Sequence, residues 1–160
     1  MIEIKLLGIW GKGKIALIDD CDSKFAKFKW YVTRQGYVIR YHNYHGRTRL
    51  HNELLGISSR ITLIDHINRN KLDNRRENLR ICNKAQNTIN SPANKNNTSG
   101  YKGVTFCKKN GKWKAQLKVN YKNLNLGYRL TKIEAAKLYN EKAKEYFGEF
   151  AYMNDCSLNL

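Results

Sequence analysis

One stretch, residues 64–90, constrains this chain more than any other, because a short strand, a polar loop, a second strand and a helix start follow one another within it. Residues 61–64 are apolar and largely β-branched, and they predict a strand that ends at Asp65 and His66. Residues 68–74 are rich in Asn and Asp, which favour turns. The strand is therefore expected to present an acidic residue and a histidine beside a polar loop.

The second half of the stretch predicts a partner for this Asp-His pair. Residues 78–81 alternate in polarity as a short strand does. Asn83, with Gln86 three residues later, is typical of a helix start. Asn87 then lies near the first turn of that helix. The order strand, loop, strand and helix is expected to bring Asn87 to the Asp-His pair.

The three residue types suit the hydrolysis of a phosphodiester bond. The Asp65 carboxylate and the Asn87 amide offer oxygen atoms, which a hard divalent cation prefers as ligands, and such a cation neutralises charge that develops on phosphate. His66 has an ordinary pKa of about 6.5, which suits the removal of a proton from an attacking water. These residues therefore predict a nuclease centre with one metal ion.

The stretch resembles the HNH (ββα-metal) endonucleases, in particular the phage-encoded and intron-encoded homing type. The matching segments are Asp-His at 65–66, Asp-Asn-Arg-Arg-Glu-Asn-Leu-Arg at 73–80 and Gln-Asn at 86–87. The resemblance implies that Asp65 and Asn87 bind one Mg²⁺ or Mn²⁺ ion per active site. It also implies that His66 is the general base, and that Asn78 is a catalytic residue that fixes the loop and the base.

Two details of the resemblance set further expectations. Asn87 stands where many relatives have His, and relatives of this variant include enzymes that nick one strand, so cleavage of one strand or of both stays open. Some relatives hold a structural zinc between Cys-x-x-Cys pairs. The four cysteines of this chain are widely separated, so no structural zinc is expected.

The charge of the chain indicates a polyanionic partner. Thirty Lys and Arg residues against thirteen Asp and Glu residues give the 160-residue chain a net charge of +17. Double-stranded DNA fits this charge, and a membrane surface is the other candidate. No apolar run approaches the roughly 18 residues of a spanning helix and no signal peptide opens the chain. We therefore expect a soluble, cytoplasmic protein.

Residues 1–50 predict a small β-rich unit. The expected strands are 14–18, 29–33, 36–41 and 47–50, with the second and third joined as a hairpin. Trp30 is assigned to the core or to a sheet face rather than to base stacking. Residues 51–56 predict a short helix that ends at a glycine. His51 is expected to pack against the site or support it rather than to bind the metal.

The C-terminal part follows a polar segment, residues 91–98, that predicts a linker. Residues 99–128 contain seven Lys and no acidic residue. Within them, residues 112–120 alternate between apolar and Lys-rich positions, which predicts a strand with one basic face. Thr131 and Glu134 form a capping box that opens a helix, whose apolar stripe should cover the apolar face of the sheet. The basic face then remains open to solvent or to a DNA groove.

Residues 99–154 resemble the plant Apetala-type or ethylene-response-factor DNA-binding domain. The matching segments are Tyr-Lys-Gly-Val at 101–104, Gly-Lys-Trp-Lys-Ala at 111–115, Leu-Gly-Tyr at 126–128, Glu-Ala-Ala-Lys-Leu-Tyr-Asn at 134–140 and Phe-Gly-Glu-Phe-Ala at 147–151. The resemblance implies that the open face binds DNA. Together with the Lys-rich strand it assigns these DNA-binding positions: Lys102, Thr105, Cys107, Lys112, Lys114, Gln116, Lys118, Asn123 and Asn125.

These patterns predict an α+β chain. Residues 1–90 form the β-rich unit and the nuclease motif, with its core at 51–90, and residues 99–154 form three antiparallel strands packed on one helix. The predicted function is a metal-dependent homing endonuclease that acts on double-stranded DNA as a monomer, without a small-molecule cofactor or a membrane. A DNA-binding transcriptional regulator with an inactive nuclease motif is the alternative, and an RNA-binding protein is a third class.

Overall fold

Short antiparallel strands form most of the secondary structure in this computed structural model, which describes residues 1–42, 46–57 and 62–157. Ten strands in four antiparallel sheets and three α-helices lie within these ranges. The fold class is therefore α+β, as predicted. Contacts divide the chain into two units, Met1–Asn87 and Thr88–Leu160.

The first unit begins with two small sheets. Their strands are β1 (Ile2–Lys5) and β2 (Ile15–Ile18) in one sheet, and β3 (Tyr31–Val32), β4 (Val38–His42) and β5 (Gly46–Arg49) in the other. The predicted hairpin forms, because Val32 pairs with Val38. Strand β1 was not predicted from the sequence. It pairs along its whole length with β2.

The nuclease stretch follows a short helix. The elements are α1 (Leu50–Leu54), β6 (Leu63–His66), β7 (Leu79–Cys82) and α2 (Lys84–Ile89). Strands β6 and β7 form an antiparallel hairpin, which confirms the predicted order of strand, loop, strand and helix. The predicted first strand started at Ile61, which lies outside the described residues. Helix α2 begins at Lys84, directly after Asn83, the residue that the sequence predicts as its cap.

One hydrophobic core joins the elements of the first unit. Trp30 is almost fully buried in it, and its indole N–H donates to the Phe25 carbonyl at 2.8 Å. This confirms the assignment of Trp30 to the core. Ile64 of β6 and Leu79 of β7 belong to the same core. The hairpin that carries Asp65 and His66 is thus anchored by packing on the N-terminal sheets.

The second unit has the architecture that the sequence predicts. Strands β8 (Val104–Cys107), β9 (Lys112–Val119) and β10 (Lys122–Arg129) form an antiparallel sheet in the order β10-β9-β8, and α3 (Lys132–Phe147) packs against it. Both hydrogen bonds of the Thr131–Glu134 capping box are present. Ala115 and Leu117 of the central strand are buried beneath α3. No helix in the described part of the chain is long and apolar enough to cross a membrane.

Candidate active site

The β6–β7 hairpin places Asp65 and His66 side by side at the end of a buried strand. In the hairpin register Asp65 lies opposite Arg80, and His66 lies opposite Leu79. Asp65 and His66 are both buried, although both are polar. Buried polar groups require partners, so the surrounding side chains determine what these two residues can do.

The Asp65 carboxylate is paired with Arg80. The Nε and Nη2 atoms of Arg80 donate to Oδ2 of Asp65 at 3.0 and 2.7 Å. Both side chains are less than one tenth exposed. A buried carboxylate needs such a partner to stay ionised. Arg80 was not among the predicted site residues, although the register of the two predicted strands places it directly across from Asp65.

The His66 imidazole is held by Asn74. Oδ1 of Asn74 lies 3.2 Å from Nε2 of His66, while Nδ2 of Asn74 donates to the Lys71 carbonyl. Because that Asn74 oxygen can only accept, Nε2 of His66 carries the proton and donates it, which leaves the lone pair on Nδ1. Asn74 is fully buried, and its backbone N–H donates to the Leu17 carbonyl at 2.8 Å. In the sequence, Asn74 is indistinguishable from the other turn-forming asparagines.

Burial lowers the pKa of His66 below its ordinary value of 6.5. The hydrogen bond that His66 donates to Asn74 and the negative charge of Asp65 raise the pKa without cancelling this effect, and the positive charge of Lys71 lowers it further. The imidazole is therefore neutral at pH 7. A neutral imidazole, in which one ring nitrogen keeps its lone pair, is the form that a general base requires.

His51 packs directly against His66. The two ring centroids are 5.0 Å apart with planes at 82°, and His51 is only 2 % exposed. Burial, followed by the positive charge that His66 carries when protonated and by those of Arg49 and Lys71, lowers the pKa of His51 to about 3. Its Nδ1 atom has no hydrogen-bond partner among the described residues. The predicted packing role of His51 is confirmed.

Asn78 closes the loop between the two strands. Its Nδ2 donates to the Asp73 carbonyl at 2.7 Å, and its Oδ1 accepts from the backbone N–H of Asn68 at 2.9 Å. Its own carbonyl accepts from the N–H of Ile67 at 2.9 Å. Asn78 therefore fixes the loop, as the family resemblance implies, while Asn74 makes the contact with His66.

The loop is also tied down by ion pairs. Arg75 donates to both carboxylate oxygens of Asp73 at 2.8 Å, and this interaction, with that from Asn68, lowers the pKa of Asp73 despite its burial. Arg76 forms a similar two-point pair with the buried Asp22. The backbone N–H of Leu17 donates to the Leu72 carbonyl at 2.8 Å. The N-terminal sheets, to which the sequence assigned no role, thus form the support on which the loop is built.

Asn87 lies on helix α2, which begins with the predicted cap. The N–H of Asn83 donates to Oε1 of Gln86 at 2.8 Å, and the N–H of Gln86 donates to Oδ1 of Asn83 at 2.9 Å. None of the residues of α2 is buried, and Asn87 is exposed. The described residues contain no cluster of three or more His, Cys, Asp or Glu side chains suited to a metal ion.

Asp65 and Asn87 nevertheless supply a donor set of the right chemistry for a hard divalent cation. Both offer oxygen atoms, one of them charged. Two protein ligands leave most coordination positions to water and phosphate, which suits Mg²⁺, a cation that loses its water reluctantly. The residues present therefore fit the cation that the sequence implies.

The open face of the C-terminal sheet carries most of the predicted DNA-binding residues. Side chains directly opposite each other in a sheet share a face, and those of β9 alternate. The pairs on this face are Thr105 with Lys114, Cys107 with Lys112, Asn123 with Lys118 and Asn125 with Gln116. Lys102 lies apart from them. Its Nζ donates to the Ile89 and Ser91 carbonyls, both at 2.6 Å.

Known proteins resemble this chain in sequence. The family described as HNH endonuclease matches residues 62–89. An uncharacterized HNH endonuclease of Acanthamoeba polyphaga mimivirus is 35 % identical over 160 residues, which cover 96 % of this chain and 81 % of that protein. Protein 3.8 of Escherichia phage T7 is 33 % identical over 88 residues, which cover 55 % of this chain and 72 % of that protein. No solved structure matches.

Proposed function

Since the chain belongs to the HNH endonuclease family and is therefore a nuclease, we propose that it is a divalent-metal-dependent, homing-type DNA endonuclease whose C-terminal module binds the target duplex. The observation that carries the proposal is the hydrogen bond between His66 and the buried Asn74, next to the buried Asp65 carboxylate. It supports a histidine held neutral and oriented for proton transfer.

His66 is the general base in this proposal. Its Nδ1 atom removes a proton from the water that attacks the phosphorus atom, while Nε2–H stays bonded to Asn74. The same hydrogen bond stabilises the imidazolium that forms, because the Asn74 oxygen points at a ring that has become positive. Asn78 acts on His66 indirectly, because its hydrogen bonds to Asn68 and Asp73 keep the loop that carries Asn74 in place.

Asp65 and Asn87 would hold the cation, Mg²⁺ or Mn²⁺, with one ion per active site. When bound, the cation neutralises the charge that develops on the phosphate and the leaving oxygen. Arg80 donates to Oδ2 of Asp65 at 2.7 Å and supplies a positive charge beside the buried carboxylate. The exposure of Asn87 on α2 leaves its amide oxygen accessible to such an ion.

The C-terminal module supplies affinity for the substrate. We assign residues 1–90 to the nuclease part, 91–98 to a linker and 99–154 to an ethylene-response-factor-like module. The Lys-rich face of its sheet attracts phosphates, which contribute much of the affinity, and the Asn, Gln and Thr side chains on that face suit contacts with base edges.

A plasmid assay tests the proposed function. Purified protein is expected to nick or linearise supercoiled plasmid with Mg²⁺ or Mn²⁺ and to stop when EDTA is added. His66→Ala should lower the rate about 10²- to 10⁴-fold, the usual contribution of a general base. His42→Ala is the matched control, because His42 bonds to Thr48 outside the site. Protein that binds the plasmid but leaves it intact, with His66→Ala indistinguishable from wild type, would instead indicate a regulator.

A further inference from the structure

The turn between β9 and β10 is strained at an aromatic residue. Only Asn120 and Tyr121 separate the two strands, because Val119 pairs directly with Lys122. Both turn residues have positive φ angles, 47° and 64°. Two-residue hairpins of this kind favour Asn followed by Gly, since other side chains disfavour the left-handed region. Asn120 tolerates this conformation, whereas a bulky residue such as Tyr121 is strained in it.

Nothing in the described part of the chain compensates for this strain. Tyr121 is 94 % exposed, more than any other large hydrophobic residue of the described ranges. Within those ranges the structure shows no hydrogen bond or ring contact for its side chain. The aromatic ring therefore stabilises neither the turn nor the core, and a glycine at this position would make a more stable turn.

The surroundings of the turn indicate what the ring meets. Lys118 and Lys122 flank the turn, and Asn123 lies opposite Lys118 in the register. These residues belong to the segment 99–128, which has seven Lys and no acidic residue. An exposed aromatic ring between lysines is suited to nucleic acid, because the lysines bind phosphates while an apolar ring in a groove can insert between base steps.

We propose that Tyr121 is a DNA contact, and that the β9–β10 hairpin enters a groove of the duplex with its tip first. The ring packs against bases, and Lys118 and Lys122 bind the phosphates on either side. This inference rests on the proposed role of the open sheet face in DNA binding. It adds an aromatic contact that lies outside the predicted DNA-binding positions.

The substitution Tyr121→Gly tests the inference in the full-length protein. Its affinity for a fluorescein-labelled duplex of mixed sequence should fall about tenfold, because the apolar contact of the ring with the bases is lost. The dependence of affinity on salt should stay unchanged, because no charge is removed. The melting temperature should rise by about 2–5 °C, because the glycine relieves the strained turn. Tyr121→Phe keeps the ring and should bind as wild type does.

A matched pair of lysine substitutions separates this inference from the function on which it rests. Lys114→Ala with Lys118→Ala, two lysines of the open face, should weaken binding and reduce the slope of log affinity against log salt by about 2. If the lysine variant loses affinity and Tyr121→Gly binds like wild type, Tyr121 is only a turn residue and the inference is overturned. If neither variant loses affinity, the open face does not bind DNA and both proposals fail.

Discussion

The imidazole rings of His51 and His66 meet edge to face, with centroids 5.0 Å apart and planes at 82°. His51 is buried at the start of α1. The ring of Tyr37 also packs against it edge to face, with the two ring centroids 5.7 Å apart. Since the pKa of His51 is lowered to about 3, its ring is neutral at physiological pH. The uncharged ring of His51 therefore helps Asn74 to orient His66, the proposed base.

The first prediction concerns the contact between the rings of His51 and His66. His51→Ala removes the ring that limits rotation of His66, so kcat for plasmid nicking should fall about tenfold or more, because small displacements of a reacting group are costly. His51→Phe keeps the edge-to-face contact and should retain most of the wild-type kcat. DNA affinity should be unchanged in both variants, as measured by the same labelled duplex. Equal kcat for His51→Ala and wild type would show that the His51 ring does not position His66.

The second prediction concerns pH and stability. Folding lowers the pKa of His51 from 6.5 to about 3 and also lowers that of His66. Below pH 6.5 the unfolded chain therefore binds more protons than the folded protein, so the free energy of unfolding should fall as pH falls from about 6.5 towards 3. Each histidine contributes up to about 1.4 kcal/mol per pH unit.

Urea denaturation at pH 7, 6 and 5 measures this dependence. His51→Phe removes one of the two histidines and should make the decrease between pH 6 and 5 clearly smaller than in wild type. His42→Phe is the comparison, because His42 is only partly buried and bonds to Thr48 outside the site. If the free energy of unfolding falls equally with pH in wild type and in His51→Phe, folding does not lower the pKa of His51.

The third prediction concerns Asn74. Asn74→Ala removes the acceptor of the His66 Nε2 proton, so we expect a decrease in kcat of about 10- to 100-fold and a loss of about 1–3 kcal/mol in the free energy of unfolding. Asn110→Ala, in an exposed turn of the other unit, should change neither quantity. Plasmid-nicking rates and urea denaturation of both variants measure the two effects. Wild-type kcat in a folded Asn74→Ala protein would remove the proposed role.

The fourth prediction concerns the buried pair of Asp65 and Arg80. Arg80→Met leaves the Asp65 carboxylate without its buried counter-charge and should lower the free energy of unfolding by about 3–5 kcal/mol. The double variant Asp65→Asn with Arg80→Met should recover much of this loss. Mn²⁺ should stabilise Arg80→Met, but not the double variant, if Asp65 binds the cation. Thermal unfolding with Mn²⁺ and with EDTA measures both effects.

Short-range patterns were sufficient for much of the fold. The capping pairs Asn83–Gln86 and Thr131–Glu134 form as predicted, because each depends on residues only three positions apart. The alternation along β9 correctly separates the face covered by α3 from the open face. The position of Asp65 and His66 at a strand end follows from the same kind of local pattern.

The sequence by itself therefore predicted most of the elements, their order and the position of the Asp-His pair at the end of a strand, since propensity and periodicity act between neighbours along the chain. Only the tertiary structure decided which side chains surround that pair. Arg80 and His51 both lie fifteen positions from the site residue that they contact. The side chain that bonds to His66 is Asn74 and not Asn78. These contacts arise because the N-terminal core fixes the loop and the hairpin in space, and no local pattern encodes that packing.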